Sequence, residues 1–135
     1  MEEWVYKGKK ISTIDDVPVG TLGFVYVIIN EKNGKKYIGK KILGSVRRLP
    51  PLKGQKRVRR VWKESNWQKY TGSNKLLNEE IKAKGVEIKR EILRWCATKR
   101  EMTYYEAKLQ FQNEVLENEQ YYNDNILGKF FRKDT

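Results

Sequence analysis

The sequence contains no histidine and a single cysteine, and both shortages narrow its chemistry. Without histidine there can be no Ser-His or Cys-His triad and no His-bearing zinc site. Any catalysis must rest on Tyr, Lys, Glu, Asp or metal-bound water. Cys96 alone cannot close an internal disulfide, which points to a reducing compartment; at the end of the apolar run Ile92–Cys96 it reads as a small buried hydrophobe. No apolar run approaches the roughly 18 residues of a membrane helix. The start, Met1-Glu2-Glu3-Trp4, is acidic and unlike a signal peptide. The expectation is a soluble cytoplasmic protein with no membrane partner. Acidic residues are also missing from Lys32 to Lys63, a window that holds thirteen Lys or Arg.

What is present fits one small domain over residues 1–135. Hydrophobic residues make up 39% and charged residues 34%, which implies a small core under an ionic surface. The net charge is +12, and its concentration in the acid-free window favours a polyanion. Four Trp and eight Tyr beside that charge favour nucleic acid.

Residues 1–21 read as an N-terminal extension, with Trp4, Val5 and Tyr6 able to pack and Asp15-Asp16-Val17-Pro18 as a turn. Phe24–Asn30 is rich in β-branched and aromatic residues and reads as a strand. Asn33-Gly34 is the signature of a two-residue hairpin turn, followed by a second strand from Lys35 to Ile42. A basic insert covers residues 43–66. Pro50-Pro51 stops any helix at that point, and a short helix is expected over Lys56–Lys63. Ser73 is placed to cap a helix over Asn74–Lys84, which Gly85 ends. Val86–Trp95 reads as a third strand and Thr103 as the start of a second helix carrying Ala107, Phe111 and Val115 on one face. The tail from Tyr121 to Phe131 is expected to form a short helix or an ordered end. The chain is therefore α+β.

Two tyrosines eleven residues apart, Tyr26 and Tyr37, lie on the hairpin strands. A two-residue turn sets Asn30 opposite Tyr37 and Ile28 opposite Gly39. Both phenols then share a sheet face, offset by roughly 13 Å at about 3.4 Å per residue. Lys36, Lys40 and Lys41 flank Tyr37 and are expected to lower its pKa by favouring the phenolate. Arg47 and Arg48 are near enough in sequence to offer planar guanidinium groups to a phosphate. Glu106 has two readings. Thr103-x-x-Glu106 matches a capping box, and the same carboxylate is the candidate ligand for a metal ion.

These residues resemble the GIY-YIG nuclease superfamily. Phe24-Val25-Tyr26 and Tyr37-Ile38-Gly39 stand for its two tripeptides. Arg47 or Arg48, Tyr70-Thr71-Gly72-Ser73 before a helix, Glu106 and Tyr121-Tyr122-Asn123 follow in order. The Gly-Lys-Lys after Tyr37, the basic insert and the Tyr-Tyr-Asn ending are similar to the small phage-encoded Seg-like homing endonucleases, for which the compartment would be a host-cell cytoplasm. The resemblance implies a small three-stranded antiparallel sheet flanked by helices and metal-dependent hydrolysis of double-stranded DNA. It implies Tyr26 and Tyr37 as active-site phenols, one of them the general base, and Arg47 or Arg48 at the phosphate. Glu106 would hold Mg²⁺ or Mn²⁺, and Asn123 would brace the site. Two features depart from the pattern. Phe24 replaces the first glycine, and Leu49-Pro50-Pro51-Leu52 follows where the family carries its arginine on a helix. No separate DNA-binding module is evident, so contacts fall to Lys36, Lys40, Lys41, Lys56, Arg57, Arg59, Arg60 and Lys63. A non-catalytic DNA- or RNA-binding domain on the same scaffold is the alternative.

Overall fold

A computed structural model describes all of residues 1–135. Its centre is β3 (Gly23–Asn30), where all but one residue is buried. Both faces of this strand are covered, so its apolar run is nearly unbroken. It pairs antiparallel with β4 (Lys36–Ile42) on one side and with β7 (Ile88–Cys96) on the other. These are the three strands expected from the sequence.

The sheet is larger than three strands, and it is mixed. Trp4–Tyr6 forms β1 and Lys9–Ile11 forms β2, giving the order β2-β1-β7-β3-β4. β1 runs parallel to β7, with Val5 opposite Glu91. Residues 1–21 are thus no mere extension. Trp4 is fully buried, stacks edge-on against Phe24 and Tyr26, and donates its indole N–H to the Trp67 carbonyl at 2.7 Å. Burying that much aromatic surface draws the N-terminus into the sheet.

One face of the sheet carries Phe24, Tyr26, Ile28, Ile88 and Ile92, packed with Trp67 and with Leu77 of α1 (Lys75–Lys84). The opposite face carries Val25, Val27, Ile38 and Cys96, packed with Met102 of α2 (Lys99–Gln112) and with Val115 and Leu116 beyond it. Cys96 is buried and free, as expected. A bulge in β7 lies opposite the Val25–Tyr26 step and re-aims the strand beside Tyr26.

The β3–β4 turn is longer than two residues. Ile28 pairs with Tyr37 and Tyr26 with Gly39, which leaves residues 31–34 as the loop. Asn30 causes the difference. Its buried side chain accepts from Lys32 N–H at 2.9 Å and donates to Tyr122 Oη and Glu80 at 3.0 Å, holding the chain in a wider turn. The two-residue slip preserves parity, so the phenols still share a face. Their offset becomes two residues, about 7 Å along the strand.

Residues 56–63 are not helical. Gly44–Leu49 forms β5 and Arg59–Glu64 forms β6, an antiparallel ribbon separate from the main sheet. The β-branched and aromatic Val61 and Trp62 favour a strand once β5 offers a partner, with Trp62 opposite Val46. Asn74, not Ser73, caps α1 by accepting from Leu77 N–H at 2.9 Å, and Gly85 ends it in the left-handed region at φ 59°. α2 begins four residues before Thr103. Thr98 caps it, accepting from Glu101 N–H at 3.0 Å, while Glu101 reaches back to Ala97 N–H. Phe111 is exposed and Val115 lies past the helix end. The tail forms β8 (Asn125–Ile126), β9 (Phe130–Phe131) and a last 3₁₀ turn. No helix is long and apolar enough to cross a membrane.

Candidate active site

β4 is the edge strand, and the site wraps around it. Tyr37, Gly39 and Lys41 point to the α1 side by strand alternation, while Ile38 and Lys40 point to the α2 side. Tyr26 reaches across from β3. Its ring centroid is 6.3 Å from that of Tyr37 and 6.0 Å from that of Tyr70.

Two glycines make room for this cluster. A Cβ on Gly39 would lie 2.5 Å from Tyr26 Oη and 3.0 Å from the Tyr37 ring. Gly72 sits at φ +84°, where a side chain is strained, and its Cβ position is 3.5 Å from the same hydroxyl. The phenol of Tyr26 therefore lies between two bare backbones.

The loop that carries Tyr70, Gly72 and Ser73 is fixed by Arg90, whose guanidinium is buried. It donates to the carbonyls of Gln68 at 2.9 Å and Tyr70 at 3.0 Å, and to the Glu2 carbonyl on its other side. Burial lowers the Arg90 pKa to about 10, opposed by Glu3. Ser73, relieved of capping, hydrogen-bonds Tyr37 Oη at 2.8 Å.

A cavity of about 260 Å³ opens on the edge of β4 and is lined by Tyr37, Glu106, Gln110, Asn123 and Asp124. Glu106 enters from α2 and plays no part in capping. Its side chain is 16% exposed, and the nearest cation is Lys40, 3.8 Å away. Lys40 also donates to Thr103 Oγ1 at 2.9 Å. Asn123 is buried and grips the backbone of Ile38 twice, accepting from its N–H at 3.1 Å and donating to its carbonyl at 2.8 Å. Arg132 in turn donates to the Asn123 carbonyl from Nη2 and Nε. Gln110 Nε2 donates to the Ile38 carbonyl at 3.0 Å, while its buried Oε1 has no partner.

Burial dominates the protonation of this cluster. It pushes Tyr26 well above the usual phenol range, with Tyr70, Tyr37 and Glu106 adding repulsion to any phenolate. Burial raises Tyr37 as well, although the Ser73 hydrogen bond partly offsets it. This reverses the lowered pKa expected at Tyr37. Lys40 lies on the opposite strand face, and Lys41 is drawn over the Tyr70 ring at 4.2 Å, so neither shields the phenol. Glu106 is raised by burial, with Lys40 opposing.

Of the residues singled out in the sequence, Tyr37, Glu106 and Asn123 line one cavity, with Tyr26 beside Tyr37 and Lys40 on Glu106. Lys36 is half-buried on β4, bridged to the tail at Tyr121. Arg47 and Arg48 go elsewhere. Both are exposed on β5 and line a separate hollow with Val61, Trp62 and Lys63. Lys56 and Arg57 lie at the exposed ribbon tip, and Arg59, Arg60 and Lys63 along β6. Sequence reasoning gave no role to Tyr70, Gln110 or Arg90, and gave Ser73 only the helix cap that Asn74 supplies. The Tyr70–Ser73 segment stood out as a motif, but only the fold shows that it closes over the phenols.

For a divalent cation the donor set is sparse. No group of three acidic or sulfur ligands exists. Glu106 together with the orphaned Gln110 Oε1 in one polar cavity fits a magnesium-like ion, which takes one or two protein oxygens and keeps its waters and substrate phosphates.

The antiparallel strands β7-β3-β4, with paired phenols on the edge hairpin and a carboxylate and an asparagine behind them, match what the GIY-YIG resemblance implies. The family model described as "Putative endonuclease segE, GIY-YIG domain" matches residues 4–126, and the chain belongs to that family. The match takes in β1 and β2 as well as the hairpin. No curated protein and no solved structure matches the chain.

Proposed function

We propose that this chain is a metal-dependent endonuclease that hydrolyses phosphodiester bonds of double-stranded DNA. The observation that carries the reading is the meeting of Tyr37, Glu106 and Asn123 in one cavity at the edge of β4, with Tyr26 packed beside Tyr37. Glu106 and Gln110 would hold Mg²⁺ or Mn²⁺. When bound, such an ion neutralises charge on the phosphate and on the leaving oxygen.

The chain's own residues do the rest. A water oxygen attacks phosphorus, one P–O ester bond breaks, and the water's proton must leave. Both phenols hold their protons at neutral pH, as any phenol of ordinary pKa 10.0 does, and burial raises both further. Tyr37 is the one already hydrogen-bonded to a hydroxyl, Ser73, so it can orient the water and take its proton while passing its own through Ser73 to solvent, and the leaving oxygen takes up a proton from solvent. Tyr26 supports Tyr37 from below, and Asn123 with Gln110 keeps the β4 edge from shifting. Lys40 lies beside Glu106 and can meet the incoming phosphate once the carboxylate has another cation. The +12 charge of the chain draws a polyanionic substrate to the protein.

Nicking of supercoiled plasmid in Mg²⁺ and in EDTA tests the proposal, with duplex RNA in parallel. Mg²⁺-dependent nicking of DNA is expected. Its absence across varied DNA substrates leaves the binding-domain reading, and cleavage confined to RNA overturns the substrate.

A further inference from the structure

We infer that the β5–β6 ribbon enters the major groove of B-form DNA; the inference rests on the nuclease reading for the identity of the polymer. The ribbon pairs only with itself, from Gly44 opposite Glu64 to Leu49 opposite Arg59, and neither strand joins the five-stranded sheet. Val46, Val61 and Trp62 are 61%, 45% and 48% exposed, so neither ribbon face has a core of its own. A lone two-stranded ribbon is marginal in water. This one leaves apolar groups roughly half exposed.

Its charge identifies the cover. Arg47, Arg48, Arg57, Arg60 and Lys63 are exposed, and none takes part in an ion pair. The only acid in either strand is Glu64 at the root, where it accepts from the Trp67 indole N–H at 2.9 Å. A ribbon with uncompensated cations along its whole length is complementary to a polyanion.

Its dimensions choose the groove. Strands of this length span about 20 Å, and side chains on both faces give a thickness of about 10 Å. That thickness fits the major groove, about 12 Å wide, and exceeds the minor groove at about 6 Å. The major groove of A-form RNA is too narrow and deep to admit it.

Residues directly opposite in an antiparallel pair share a face, which fixes the ribbon's orientation. Gly44, Val46 and Trp62 lie on one face, and Trp62 lines a hollow of about 290 Å³ with Ile14–Thr21 of the body. That face turns inward at its root, with the indole resting on Gly44. The other face presents Arg47, Val61 and Lys63 outward. Arg47 can meet guanine O6 and N7, and Val61 can pack on a thymine methyl. Arg48 and Arg60, opposite each other on the inner face, reach the phosphates of the groove wall. Arg47 and Arg48 thus act in recognition. β5 begins just after β4, so the edge with Tyr37 and Glu106 would lie beside the groove that the ribbon fills.

The test is performed in EDTA on the full chain with duplex DNA partially methylated by dimethyl sulfate. The reagent modifies guanine N7 in the major groove and adenine N3 in the minor groove. Depletion of N7-methylguanine from the bound fraction, with N3-methyladenine unaffected, is the expected result; interference by N3-methyladenine alone overturns the assignment. The variant Arg57→Ala/Arg60→Ala/Lys63→Ala should lower the salt dependence of binding by about 2 to 3 in log–log slope, at about 0.9 per phosphate. An unchanged slope also overturns it. If melting shows the triple variant unfolded, Arg60→Gln and Lys63→Gln carry the same comparison at about 0.9 each. Wild-type plasmid nicking in Mg²⁺ separates the two readings. Cleavage with a ribbon-independent slope sinks the groove inference and keeps the nuclease. Ribbon-dependent major-groove binding without cleavage keeps the ribbon and sinks the nuclease.

Discussion

The hydroxyl of Tyr26 lies where a side chain on Gly39 would begin, 2.5 Å from that Cβ position. The glycine of Tyr37-Ile38-Gly39 is required by a phenol on the neighbouring strand. Gly39→Ala should therefore displace Tyr26 and Tyr37 together. Urea denaturation is expected to show a loss of about 1–3 kcal/mol, as for other overpacked cores, and plasmid nicking should fall in step. A variant of wild-type stability and activity would mean that the ring moves aside freely.

Tyr37→Phe removes the hydroxyl and its hydrogen bond to Ser73 while keeping the ring on Tyr26. The stability cost should be about 1 kcal/mol or less. Nicking rate should fall about 10²-fold or more, the usual scale for losing a positioned proton-transfer group. Ser73→Ala should produce a smaller rate loss with the same fold. Near-wild-type turnover in Tyr37→Phe would reduce that phenol to a strand residue.

Glu106 gives the sharpest separation of fold from function. Helix capping belongs to Thr98, so Thr98→Ala should cost about 1 kcal/mol. Glu106 is different, because burial raises its pKa and the ionised carboxylate is disfavoured in the fold. Its Lys40 contact, long and partly exposed, offsets little. Glu106→Gln should leave the melting temperature unchanged or higher. Mg²⁺-dependent nicking should drop about 10³-fold, a loss of several kcal/mol of charge stabilisation. A lower melting temperature in Glu106→Gln would show a structural role instead.

Alkaline pH should destabilise the fold through the same phenols. Tyr26 and Tyr37 keep their protons in the native state above the ordinary value of 10.0, where unfolded tyrosines have begun to ionise. The unfolded state then binds fewer protons than the native one, and stability falls as pH rises through 10 and beyond. Calorimetry should show a steeper fall for the wild type than for Tyr26→Phe. Equal slopes would mean that the phenol is not buried in solution.

The sequence made the centre of the fold legible and hid its margins. β3, β4, β7 and α1 follow from local composition: a β-branched run, an Asn-Gly turn, a glycine stop. The turn length did not, because Asn30 sets it through partners at Glu80 and Tyr122, far away in sequence. β1 was obscure because three residues carry no periodicity, and Trp4 reveals its place only by what surrounds it. β6 looked helical because isolated charge-rich segments favour helix, and a strand forms only with β5 beside it. The order of Tyr, Tyr, Glu and Asn picked out Tyr37, Glu106 and Asn123 in the cavity and Tyr26 beside it, but not Gln110. The pKa direction of Tyr37 was missed because burial depends on the fold, and cations adjacent in sequence alternate across the two faces of β4.

Trp4 and Tyr122 belong to the same core cluster, and β1 joins the sheet only through β7. The core therefore closes through contacts between segments far apart in sequence, a topology that folds slowly because loop closure precedes its reward. Asn123, which secures the edge of β4, is synthesised 85 residues after the Ile38 that it grips. A partly translated chain can present a basic ribbon before it can present a finished cavity. On the proposed reading, cutting competence would arrive late and all at once, after the affinity for DNA.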